Sequence, residues 1–248
     1  MDTPDVDRSA RLPRALLAYA AALAVFLLIP PTLKPTVGPP RWFTLQEAAD
    51  LLTPVVVIPL AWFVLECCGA VRGRTLVAFL VIAAVWVEGQ GIHLASNAIG
   101  DAFVRGEARD TFYATEAGDL DHWLDEVLSH WMWHLAWAAL AILMLWLATR
   151  RRDRTTRTGG AGGALSAIAG LVHGIPLFFV TTEGGTTAMG IPLSILLLAW
   201  SGRETIRGST HPVVRFFLVS SIATLLAYLV WAALNGGRLV EPCSVLNC

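Results

Sequence analysis

The sequence has few charged residues for its length. Asp, Glu, Lys and Arg make up 15% of its 248 residues, while 55% are hydrophobic and the mean hydropathy is +0.60. A soluble domain carries about 25% charged residues, so this chain has too little polar surface to cover itself in water. Several apolar runs exceed the roughly 18 residues that indicate a membrane-spanning helix. We therefore predict an all-α, polytopic integral membrane bundle without a soluble domain.

Lysine is almost absent, since Lys34 is its single occurrence and the other basic residues are arginine. This preference is typical of a GC-rich bacterial source, so we expect a multi-pass protein of the bacterial inner (plasma) membrane. The formal net charge is −1, so no overall positive field points to nucleic acid. Membrane lipids are the expected partners.

No clear signal-peptide cleavage site follows the first apolar run, which ends in Pro30 and Pro31. We assign 1–14 to a cytoplasmic tail, 15–234 to the membrane domain and 235–248 to an external tail. The domain is expected to contain about seven spans, the sixth of which is short, contains Gly190 and Pro192, and has a re-entrant segment as its alternative. The predicted spans are 15–31, 44–66, 75–99, 121–149, 162–181, 186–201 and 212–234.

The arginines predict the orientation of these spans. With the N-terminus inside, all but five of the 18 basic residues fall on the cytoplasmic side, including the run at 150–157. The positive-inside rule therefore favours an N-in, C-out arrangement. The acidic loop 100–120 then lies outside.

The chain has only four cysteines. Cys243 and Cys248 fall on the predicted external tail, where oxidation is chemically permitted. The sequence leaves two alternatives for this pair, a small disulfide and two separate thiols. Cys67 and Cys68 fall at the inner end of the second span, where we expect reduced, packed thiols.

A stripe of polar residues runs along the fourth predicted span, in DHWLDEVLSHWMWH at 121–134. Its members His122, Glu126, His130 and His134 recur every four residues. Four residues of α-helix turn about 40° more than one revolution, so the stripe winds gently along one face. We expect it to descend from the outer surface into the membrane.

Histidines of three spans fall at a similar predicted depth. Counted at 1.5 Å per residue from the outer helix ends, His93 lies roughly 9 Å deep, His130 about 13 Å and His173 about 12 Å. Ionisable residues inside a bilayer are costly and tend to face the bundle interior. We therefore predict a polar pocket in the outer half of the membrane.

The residue types in this layer suit a metal ion. Imidazoles four apart on one helix face can chelate Zn, Fe or Cu, and we favour Zn or Fe. The candidate metal ligands are His93, His130, His134 and His173, with hydrogen-bonded structural histidines as the alternative.

Two carboxylates are candidates for the catalytic ligand or general base, Glu126 and Glu88. Glu88 precedes His93 by five residues, about 140° around an ideal helix. The two share a face only if Gly89 and Gly91 permit a π-bulge. The alternative is that these glycines serve close helix packing.

The arrangement of seven N-in spans with histidines and acidic residues converging in one leaflet resembles the CREST-type membrane hydrolases. In that group the H-x3-H pair lies in the last span, whereas here it is His130-x3-His134 in the fourth. The resemblance implies a hydrolase-like architecture, and no residue role is carried over from it.

Three functions remain open from the sequence. The first is a metal-dependent, hydrolase-like membrane enzyme that acts on a lipid or other amphiphile. The second is a non-enzymatic electron-transfer subunit that holds haem b or copper through facing histidines. The third is a proton- or metal-coupled transporter, which would need polar residues that continue to the cytoplasmic side.

Overall fold

The protein is helical almost throughout. The computed structural model describes residues 4–33, 35–37, 43–69, 71–104, 109–150 and 160–246. The long helices are α1 (Pro4–Leu28), α2 (Leu45–Cys68), α3 (Arg74–Val104), α7 (Gly160–Glu183), α8 (Thr187–Ile206) and α9 (Pro212–Leu234). Between α3 and α7 lie α4 (Arg109–Tyr113), α5 (Glu116–His122), a π-helical segment (Trp123–Ser129) and α6 (His130–Arg150). The last described helix is α10 (Pro242–Leu246).

In the described part of the chain, six helices are long and apolar enough to cross a membrane. One of them is Glu116–Arg150, which combines α5, the π segment and α6 and is called the composite helix below. The sixth predicted span, α8, is not among them, although it forms a regular 20-residue helix. Multi-pass membrane insertion is therefore supported, and seven spans remain a prediction.

Residues 4–14, the described part of the predicted cytoplasmic tail, are helical and continue into the rest of α1. Leu12 is fully buried, so the core extends into the region that we had assigned to the tail.

The start of α2 is fixed by local hydrogen bonds. The Thr44 hydroxyl accepts from the Glu47 backbone N–H at 3.1 Å, and the Glu47 carboxylate accepts from the Thr44 N–H. This capping box satisfies two helix-end donors. Just before it, strand β1 (Thr36–Val37) pairs antiparallel with β2 (Phe43–Thr44).

The start of α9 is capped by His211, whose Nδ1 accepts from the Val213 N–H at 3.3 Å. Burial lowers the pKa of His211 to about 4. The ring is therefore neutral at physiological pH and keeps the lone pair that the cap requires.

Glycine permits close contact between α7 and α9. An added Cβ at Gly170 would lie 2.4 Å from the Phe216 carbonyl oxygen, and one at Gly174 would lie 2.6 Å from that of Ser220. Small residues allow helix backbones to approach in this way within membranes.

A second close approach joins α3 to the composite helix. A Cβ at Gly89 would lie 2.9 Å from both the Met132 Cβ and the Trp133 backbone nitrogen. Gly89 therefore serves packing, and α3 is a continuous α-helix without the π-bulge that we considered. A π-helical turn does occur in the composite helix, which packs against Gly89; it spans Trp123–Ser129.

The segment after α9 folds back onto the helix ends. The Trp231 indole N–H donates to the Val240 carbonyl oxygen at 2.8 Å, and the Cys243 backbone N–H donates to Glu183 at 2.8 Å. Cys243 is disulfide-bonded, while its sequence candidate Cys248 lies outside the described residues. Cys67 and Cys68 are buried thiols at the end of α2.

The α7–α9 contact predicts a large effect for Gly170→Leu. The added side chain would collide with the α9 backbone, and such overpacking costs about 1–3 kcal/mol or more. We expect a clearly lower thermal unfolding temperature of the purified protein in detergent. Gly202→Leu is the control, because an added Cβ there meets no atom within 4 Å. Equal losses in the two variants would contradict this packing.

Candidate functional site

A cavity of about 370 Å³ opens at the end of the bundle where α1, α3 and α7 end and α2 and the composite helix begin. The apolar side chains of its lining, called the apolar wall below, are those of Phe26, Leu27, Pro31, Trp133, Phe179 and Val180. The polar side chains are those of Gln46, Asp50, Gln90, His93, Asn97, Asp125, Glu126, His130, Glu183 and Glu241, and Gly184 and Cys243 complete the lining. Its volume falls in the range of small-ligand sites.

The π-helical segment determines which side chains of the composite helix reach this pocket. A π-helix takes more residues per turn than an α-helix, because its hydrogen bonds run from i to i+5. Asp125, five residues before His130, consequently lines the pocket together with Glu126. Asp125 is not among the residues that α-helical spacing predicts for the site.

His93 and Asp125 form the closest polar contact across the pocket. The His93 Nδ1 and the Asp125 Oδ1 lie 2.6 Å apart, and both side chains are less than one-fifth exposed. The contact lacks the alignment of a regular hydrogen bond. The Asn97 amide donates to Nε2 of the same ring at 3.1 Å, which leaves the ring proton on Nδ1, the nitrogen closer to the carboxylate.

His130 lies beside this pair, with its ring centroid 5.0 Å from that of His93. Its Nδ1 donates to the Glu126 backbone carbonyl at 3.0 Å, and the Glu126 carboxylate is 3.8 Å away. The bond to the carbonyl fixes the tautomer and leaves Nε2 as an acceptor. Glu126 itself is half exposed.

His134 lies one turn below His130 and is fully buried, so it does not line the pocket. The two rings stack with centroids 5.6 Å apart. The His134 Nδ1 bonds to the Thr186 hydroxyl at 2.6 Å, and its Nε2 is buried without a partner among the described residues. Gly184 packs on both rings, because a Cβ there would meet His134 at 2.9 Å and His130 at 3.1 Å.

His173 lies outside the pocket, in the bundle core. Its Nε2 accepts from the Trp137 indole N–H at 3.2 Å, and its Nδ1 bonds to Ser220 Oγ at 2.7 Å. Trp137 follows His130 by seven residues, roughly 10 Å deeper along the helix. Equal depth had been inferred from assumed helix ends, but α3 extends to Val104 and the composite helix begins at Glu116.

Glu88 also lies outside the pocket, exposed on α3. Because α3 keeps α-helical geometry through this region, Glu88 remains about 140° away from His93. Of the predicted site residues, the pocket therefore contains His93, His130 and Glu126.

Several carboxylates of the pocket were not among the predicted site residues, namely Asp50, Asp125, Glu183 and Glu241. Asp50 lies near the outer end of the predicted second span, and this position was the sequence feature that could have indicated a place in the pocket. Glu241 is brought in only by the fold-back of the C-terminal segment. His93 interacts electrostatically with Asp125, Asp50 and Glu126, so these groups form one cluster.

The arrangement supports acid–base chemistry. The ring and carboxylate of His93 and Asp125 suit proton transfer. For metal binding, no group of three His, Cys, Asp or Glu side chains within the described ranges is arranged to hold an ion.

Comparison with known proteins gives no relative from which to infer a function. No family model, curated protein or solved structure matches this chain.

His173→Leu is predicted to destabilise the protein by about 1–3 kcal/mol, because the Trp137 N–H and the Ser220 hydroxyl would be buried without a partner. Thermal unfolding in detergent measures the loss. His122→Leu is the control, since His122 is exposed on the same side of the bundle as the pocket. An unchanged unfolding temperature, combined with a changed metal content, would indicate that His173 is a ligand and not a structural residue.

Proposed function

We propose that this chain is a hydrolase-like enzyme of the bacterial plasma membrane, acting on a lipid or other amphiphile from the outer leaflet. The observation that carries the proposal is the His93–Asp125 pair at 2.6 Å within an open pocket. Its lining combines polar and apolar side chains, as the binding of an amphiphile requires.

The proposed chemistry is general acid–base catalysis by His93. With the ring proton on Nδ1, which lies 2.6 Å from the Asp125 carboxylate, Nε2 is the basic nitrogen. A water that displaces the Asn97 amide from Nε2 gives its proton to this nitrogen as its oxygen attacks the scissile carbonyl carbon. The protonated ring then passes the proton to the leaving group, and the substrate bond breaks.

A metal-assisted form of this reaction, with Zn or Fe, is the form that the sequence favours. Bound metal would lower the pKa of its water. Among the described residues no group of three His, Cys, Asp or Glu side chains is arranged to hold an ion, so no reaction step is assigned to a metal.

The disulfide of Cys243 supports an outward-facing pocket. Disulfides persist in oxidising compartments, and Cys243 lines the pocket at the end of the bundle opposite to the thiols of Cys67 and Cys68. This agrees with the N-in, C-out orientation that the arginines favour.

Purified protein in detergent should hydrolyse a fluorogenic short-chain ester such as 4-methylumbelliferyl butyrate. Asp125→Asn should lower the rate at least tenfold, because it weakens the orientation and charge stabilisation of His93. His93→Ala should abolish the activity. Metal analysis and an absorption spectrum of the same samples would show Zn or Fe, or the Soret band of the haem alternative.

The control is His122→Ala, which removes an exposed histidine outside the pocket. It should retain full activity and metal content. Ester hydrolysis that is equal in wild type, His93→Ala and Asp125→Asn would contradict the enzymatic proposal. A Soret band that disappears in His93→Ala would favour the electron-transfer function instead.

A further inference from the structure

The pocket has an excess of negative charge. Five carboxylates line it, those of Asp50, Asp125, Glu126, Glu183 and Glu241, and no Lys or Arg from the described part of the chain does so. Even with both His93 and His130 protonated, the negative groups would outnumber the positive ones by three. An anionic ligand such as a phosphate head group would therefore be repelled.

The carboxylates also repel one another. Glu241 is close enough to interact with both Glu126 and Glu183, and Asp125 interacts with Glu126. Clustering like charges is unfavourable unless a counter-charge joins them. Of these groups, Asp125 is paired with the His93 ring, and one oxygen of Glu183 accepts the Cys243 N–H.

An independent observation comes from Gln90, which is 4% exposed and lines the pocket. Its Oε1 is buried and has no hydrogen-bond partner among the described residues. Burying an acceptor without a donor costs free energy of folding. A ligand that donates an N–H or O–H group to the Gln90 Oε1 would remove this cost. The Trp133 indole N–H, also without a partner, suits a neutral ligand oxygen next to the apolar wall.

We infer that the pocket binds amphiphiles whose head group is an ammonium and not a phosphate. The ammonium N–H groups match the carboxylates and the Gln90 Oε1, while the carbon chain contacts the apolar wall formed by Phe26, Phe179 and Val180. A volume of about 370 Å³ accommodates a head group with a short apolar part. This inference names the substrate class of the proposed enzyme and to that extent rests on the proposed function.

Binding of three chain-matched probes to the full-length protein tests the inference. Hexylammonium, hexyl phosphate and hexanol are titrated by isothermal calorimetry in a non-ionic detergent with EDTA, so that neither metal nor turnover is needed. Hexylammonium is expected to bind at least tenfold more tightly than the other two. Equal or tighter binding of hexyl phosphate or hexanol would overturn the inference.

Charge removal at the pocket provides the second arm. Asp50→Asn combined with Glu241→Gln should weaken hexylammonium binding at least tenfold, and Gln90→Leu should weaken it separately. The matched control is Asp119→Asn combined with Glu116→Gln, which also removes two negative charges. Both residues are exposed on the composite helix and lie outside the pocket. The same weakening in the control as in the pocket variant would overturn the inference.

The two proposals fail separately. A protein that hydrolyses the ester through His93 but shows no preference for hexylammonium would retain the proposed function and lose this substrate class. A protein that binds hexylammonium through Asp50 and Glu241 without hydrolysing the ester would retain the ligand class and lose the enzymatic function.

Discussion

The contact between His93 and Asp125 is the interaction on which the candidate site depends. Within a bilayer, ionisable side chains need partners from the protein itself, because lipid supplies none. Gly89 lets α3 approach the composite helix, and the π-helical segment turns Asp125 towards His93 across this contact. The close helix contact and the π-helical turn together bring His93 and Asp125 into contact, and the pocket opens beside this pair.

Much of the helical architecture follows from the sequence, because a bilayer-length apolar run has few alternatives to a helix. The last long helix has the bounds that were predicted for it, Pro212–Leu234, and the composite helix contains the whole polar stripe. Sequence could not reveal the π-helical turn, because no residue pattern fixes it. Asp125 was therefore missed. The π-bulge that Glu88 would need at Gly89 and Gly91 to share a face with His93 is not formed, and Gly89 serves packing, which was the alternative.

The histidines show that depth counted along a helix does not predict which side chains share a site. His130 and His173 were placed in one layer by counting residues, yet one lines the pocket and the other bonds to Trp137 and Ser220 in the core. The helices begin and end at different depths in the bundle, so equal residue counts from their ends do not correspond to equal depths. Glu241 enters the site through a fold-back of the chain, and such tertiary contacts leave no signal in local periodicity. The pocket is consequently more acidic than the histidine stripe suggested.

A double-mutant cycle between His93 and Asp125 tests the central contact most directly. The unfolding free energies of the wild type, His93→Gln, Asp125→Asn and the double variant are measured in detergent at neutral pH. The structure predicts a coupling energy of about 1–3 kcal/mol, typical of residues in direct contact. Additive single effects, with a coupling near zero, would show that the two side chains do not meet and would contradict the site described above.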